Sequence, residues 1–116
     1  MDISQMQERI ARFADERDWD QFHTPRNLLL ALMGELGELA ELLQWKTDEQ
    51  VREALQESAG REAIEEEVAD VAIYLLRLAQ VMDIDIPTAV EAKIALNESK
   101  YPADRVRGSA KKYDEY

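Results

Sequence analysis

Two acid-x-x-acid pairs, Glu35/Glu38 in GELGELAELLQWK and Glu67/Asp70 in EEEVADVAIYLL, fall in stretches whose other residues call for burial. Residues three apart on a helix lie side by side, so each pair projects two carboxylates in one direction. Around the first pair stand Leu28, Leu29, Leu32, Met33, Leu36, Leu39, Leu42 and Leu43; the second leads into Val68, Val71, Ile73, Leu75 and Leu76. Four anions drawn into an apolar interior cost roughly several kcal/mol apiece unless paired or bound to metal. A fold that buries these leucines must therefore offset the acids. A hard divalent cation does so, and Mg²⁺ favours oxygen ligands while keeping waters for a phosphate or a nucleophile. Either pair alone, in a chain with 25 acidic residues among 116, reads as an ordinary solvated face. Gly34 and Gly37, each costing about 1 kcal/mol relative to Ala inside a helix, predict close approach of another helix or a ligand.

A chain of 116 residues is one domain with room for one core. Without cysteine it has no disulfide framework, no thiolate nucleophile and no Cys-based zinc site, which fits a reducing compartment. Its apolar runs fall far below the roughly 18 residues a membrane span needs, and MDISQMQERIARF lacks signal-peptide character. The expectation is a soluble, cytoplasmic protein with no membrane partner. A net charge of -11 argues against a nucleic-acid surface, which requires clustered Lys and Arg. An anionic small molecule is still accommodated if metal and a few cations offset the field.

The periodicity is helical almost throughout. Ile3, Met6, Ile10 and Phe13 predict an amphipathic helix ending near Asp18, followed by an aromatic connection over residues 19–23. Thr24 and Pro25 read as N-cap and first helical position of a long helix to about Trp45. Thr47 with Gln50 resembles a capping box opening a short helix to about Glu57. Ser58-Ala59-Gly60 is read as a break before a helix over about residues 61–82. Asp85 and Pro87 open a last helix that must stop before Pro102. The fold class expected is all-α, a bundle of four to five helices over residues 1–102. Residues 103–116, polar with clustered cations, are read as a flexible tail ordered only by ligand.

The spacing carries a weak internal echo. Thirty-two residues separate Glu35 from Glu67 and Glu38 from Asp70, with Ala31 and Ala63 one turn earlier and Leu42 and Tyr74 one turn later. A short linker between the two helices predicts antiparallel packing that brings the carboxylates to one level.

FADERDWDQFHTPRNLLLALMGELGELAELLQWK, EEEVADVAIYLLRLAQ, KIALNESKYP and RGSAKKY together resemble the MazG-like all-α nucleoside triphosphate pyrophosphohydrolases, and within them the dCTP pyrophosphatase group. The resemblance runs from about Phe13 to Tyr113. It implies hydrolysis of a dNTP between the α and β phosphates to dNMP and pyrophosphate, with Mg²⁺ (or Mn²⁺) as cofactor, in a helical homodimer or homotetramer that clears unwanted nucleotides. The family's metal ligands fall on Glu35, Glu38, Glu67 and Asp70, its base-pocket aromatics on Trp19, His23, Trp45 and Tyr74. Its triphosphate-contacting positions fall on Lys93, Asn97 and Tyr101, and further on Lys100, Arg107, Lys111 and Tyr113. Between Trp45 and Glu67 the chain departs from the family pattern, which leaves base preference open.

Elementary chemistry supports these roles. Phosphoanhydride cleavage accumulates negative charge that metal and Lys or Arg stabilise more in the transition state than in the ground state. Bound metal lowers the pKa of water, and a neighbouring carboxylate, here assigned to Glu38, accepts its proton. Trp19 and Trp45 can stack on a base at about 1 to 3 kcal/mol each, or serve as core or interface aromatics. Lys93 and Asn97, four apart, equally describe a solvated helix face, and His23, the sole histidine, an ordinary loop residue. A di-iron carboxylate bundle needs Glu-x-x-His pairs, which no helical stretch here contains. The alternative to an enzyme is a noncatalytic helical metal-binding or interaction module.

Overall fold

In the computed structural model, which describes residues 1–110, the helices are α1 (Ile3–Glu16), a 3₁₀ turn (Asp20–Phe22), α2 (Pro25–Leu43), α3 (Asp48–Gln56), α4 (Ser58–Val81), α5 (Ile86–Lys100) and α6 (Ala103–Val106). No strand occurs among the described residues. The chain divides into two compact units, residues 1–83 and 84–116.

Local chemistry sets most boundaries. Asp2 and Gln5 form a reciprocal capping box at the start of α1, and Thr47 and Gln50 form the one expected at α3. Thr24 caps α2 through the backbone N–H of Asn27, with Pro25 at the first position. Asp85 caps α5 through the backbone N–H of Thr88. The chain leaves α1 through Asp18, whose φ of 55° is left-handed; Trp19 N–H reaches back to the Ala14 carbonyl and Asp18 N–H to that of Asp15. This is a Schellman-type stop with aspartate where glycine is usual. It turns Trp19 back over α1.

α4 is the axis of the first unit, with α1, α2 and α3 packed against it. Leu28 and Leu32 of α2 pack with Leu78 of α4, and Val71, Tyr74 and Val81 close around them. Residues early in α2 meet residues late in α4, so the two helices run antiparallel as the spacing predicted.

One expectation is corrected. Ser58-Ala59-Gly60 does not break the chain but forms the first turn of α4; the extended residue is Glu57, with φ -96° and ψ 137°. Gly60 is required there because a Cβ would sit 2.4 Å from the Ala54 carbonyl oxygen of α3. Gly34 and Gly37, in contrast, face open space, with nothing among the described residues within 4 Å of an added Cβ, so no helix of the same chain makes the expected close approach. The segment read as a flexible tail ordered only by ligand has the helical turn Ala103–Val106 among its described residues.

Candidate active site

The α2–α4 seam brings three of the four acids together. Single carboxylate oxygens of Glu35, Glu38 and Glu67 lie within 4.8 Å of one another. Asp70, one turn further along α4, is outside this trio, but its charge acts on both Glu35 and Glu67. Proton sharing with Glu38, then burial, then the charges of Glu38, Asp70 and Glu67 push the Glu35 carboxyl up to about 7. Burial, followed by the charge of Glu38, raises Glu67 as well. The Oε2 atoms of both Glu35 and Glu67 are buried with no hydrogen-bond partner. Buried acceptors without donors are costly. Converging anionic oxygens in this state are what a hard divalent cation takes as ligands, and the donor set therefore fits such an ion.

One turn from these acids along both helices lies a cavity of about 300 Å³ lined by Trp19, Phe22, His23, Asn27, Leu28, Ala31 and Tyr74. Ala31 stands four residues before Glu35 on α2 and Tyr74 four after Asp70 on α4, so the cavity floor is about 6 Å along the helix axes from the nearest acid on each helix. Trp19 meets Phe13 edge-to-face at 5.5 Å and His23 at 6.4 Å. Asn27 donates to the Phe22 carbonyl at 3.1 Å and ties the aromatic turn to α2.

Trp19, His23 and Tyr74 thus share one cavity, and Trp45 does not. Trp45 lies beyond the far end of α2, 88% exposed. It is fourteen residues past Ala31, roughly 20 Å at helical rise, too far to reach the cavity of its own chain. In the second unit Lys93, Asn97 and Lys100 follow helical spacing along one face of α5. Tyr101 caps that helix, its N–H donating to the Asn97 carbonyl at 2.8 Å, and Arg107 follows α6. Lys111 and Tyr113 lie outside the described residues.

Sequence reasoning missed Arg77, which is buried at 8% exposure beside this cavity. Its Nε donates to His23 Nδ1 at 3.0 Å and its Nη2 to Asp20 at 2.7 Å. The signal was a lone cation in the apolar run Leu75-Leu76-Arg77-Leu78-Ala79, since arginine is almost never fully buried unless paired.

The MazG-like family pattern matches residues 32–116, which include all four acids. The chain belongs to the MazG-like family. It is 53% identical over 105 residues to dCTP pyrophosphatase 1 of Homo sapiens, covering 90% of this chain and 62% of the human protein. To the Rattus norvegicus dCTP pyrophosphatase 1 it is 53% identical over 103 residues, covering 89% of this chain and 61% of that one. The chain therefore spans about three-fifths of the length of these relatives. A crystal structure of a pyrophosphatase from Archaeoglobus fulgidus DSM 4304 superposes with a TM-score of 0.77 at 39% identity, covering 85% of this chain and 91% of that one. Among the described residues no helix is long and apolar enough to cross a membrane.

Proposed function

We propose that this MazG-like chain is a Mg²⁺-dependent nucleoside triphosphate pyrophosphohydrolase that converts a dNTP, with dCTP first in line, to dNMP and pyrophosphate in the cytoplasmic nucleotide pool. The observation that carries this reading is the placement of an aromatic cavity and a three-carboxylate cluster side by side on the α2–α4 seam. One accepts a flat base; the other holds a cation against phosphate. The similarity to proteins named dCTP pyrophosphatase supports the choice of base.

Glu35, Glu38 and Glu67 would hold the metal, with Asp70 completing the set. Bound there, the ion would polarise the phosphate oxygens and acidify water. Glu35 and Glu67 are half-buried and Glu38 is exposed, so Glu38 is the carboxylate best able to meet a water and accept its proton. Trp19 and Tyr74 offer ring surfaces to the base, and burial of that base at the cavity keeps the α-phosphate in register with the acids. Pyrophosphate release measured across a panel of dNTPs and NTPs with Mg²⁺ tests the proposal. Turnover is expected to be highest on a deoxypyrimidine triphosphate, and no turnover on any member would leave the noncatalytic module.

The same reading includes assembly as a homodimer or homotetramer. Leu29, Leu30, Met33 and Leu36 of α2 are between 47% and 59% exposed, next to the open faces of Gly34 and Gly37. Such a surface on one helix supports association with a second copy. It also gives Trp45 a route to a base, through the cavity of a second copy. Light scattering at micromolar concentration should give at least twice the mass of one chain, and a monomer would overturn the assembly.

A further inference from the structure

Arg77 is the one charged side chain buried among the described residues, and the chemistry above makes no use of it. All three guanidinium nitrogens are engaged: Nε donates to Nδ1 of His23 at 3.0 Å, Nη2 to Oδ1 of Asp20 at 2.7 Å and Nη1 to Oε1 of Gln80 at 2.7 Å. Gln80 in turn donates to the Gln7 carbonyl at 3.2 Å, and Gln7 donates to the Leu76 carbonyl at 2.9 Å. The plane of the guanidinium is thereby held from both α1 and α4. A guanidinium has donors only. The His23 nitrogen that faces it must be bare, so a neutral imidazole carries its single proton on Nε2.

We propose that Arg77 is a positioning residue that locks His23 in its Nε2–H tautomer, so that the cavity presents a fixed hydrogen-bond donor to a lone-pair acceptor on the nucleobase, a carbonyl oxygen or an unprotonated ring nitrogen. The inference rests on the nucleotide reading above. His23 lines the cavity, and its Nε2 has no acceptor among the described residues. The charges acting on the ring are Arg77 from α4 and Asp20 from the 3₁₀ turn. Of the other cavity residues, Asn27, Leu28 and Ala31 from α2 are uncharged, and Tyr74 from α4 carries the only other titratable group. Burial first, then the Arg77 cation, lower the His23 pKa from 6.5 against the opposing pull of Asp20. The ring therefore gives up its second proton at a lower pH than a free histidine and is a neutral donor at neutral pH.

His23 is the only histidine in the chain, so nitrogen NMR of the uniformly labelled 116-residue chain reads its tautomer without ambiguity. Wild type should show Nδ1 bare and Nε2 protonated at pH 7 to 8. In Arg77→Ala the tautomers should mix and the titration move up toward the ordinary value. KM for dCTP should then rise on the order of tenfold with kcat little changed, and Arg77→Lys, which keeps a charged donor, should recover part of the loss. A protonated Nδ1 in wild type overturns the proposal even if both variants fail to fold, as does an unchanged tautomer in Arg77→Ala. Adding a non-hydrolysable α,β-imido dCTP separates the two readings. A bare Nδ1 with His23 signals unmoved by the nucleotide removes the base-binding role, whereas a wrong tautomer with shifted signals removes Arg77 and leaves the base pocket standing.

Discussion

Glu38→Gln is expected to lower kcat/KM for pyrophosphate release by on the order of a hundredfold or more, with the helical circular dichroism spectrum unchanged. Glu38 is the member of the trio that acts on both others: proton sharing with it is the leading cause of the raised Glu35 pKa, and its charge is among the causes acting on Glu67. The amide keeps the volume and removes the charge, so packing along α2 is retained while the proposed metal ligand and proton acceptor are lost together. Without metal the variant should melt at a higher temperature than wild type, because the buried oxygens of Glu35 and Glu67 no longer face a third anion. Higher stability with lost turnover is the signature of a functional site maintained against local stability. Turnover within tenfold of wild type would remove Glu38 from both roles.

What could be read from spacing alone was what lies on one helix or at its end. Thr47 with Gln50, Asp85 with Pro87, and the three-residue intervals of the acids each depend on neighbours within a turn. Antiparallel α2 and α4 followed from the short linker. Contacts between helices carry no such local mark. Gly60 looked like punctuation, and only the approach of the Ala54 carbonyl shows it to be a packing residue. The bond from Arg77 to His23 spans 54 positions, and no periodicity in either segment points to the other. Trp45 fails to join Trp19 for a different reason: a family pattern names positions but not their distances in space, and α2 separates these two along its length.

Stability of the metal-free protein is expected to fall as pH rises toward neutrality, and a divalent cation to reverse that trend. Glu35 titrates near 7 in the folded chain against an ordinary value of 4.5. Below 4.5 both states hold the proton. Between 4.5 and about 7 the folded state keeps a proton that the unfolded chain has released, so folding loses stability as pH rises. Glu67, also raised, adds to the same slope. His23, lowered from 6.5, contributes with the opposite sign up to that pH, and the comparison of wild type with Glu35→Gln removes its share. The lowered Asp85 acts only in acid, below this window. A cation competes with the protons on Glu35 and Glu67, so its stabilising effect must grow over the same range. At a concentration of about 100 times Kd it supplies ~2.7 kcal/mol, which for a domain of this size raises Tm by roughly 10 °C. Melting curves with EDTA and with Mg²⁺ at pH 5, 6, 7 and 8 measure both slopes. Equal cation shifts at pH 5 and pH 8, or a wild-type slope shared by Glu35→Gln, would mean that these carboxyls do not hold the ion.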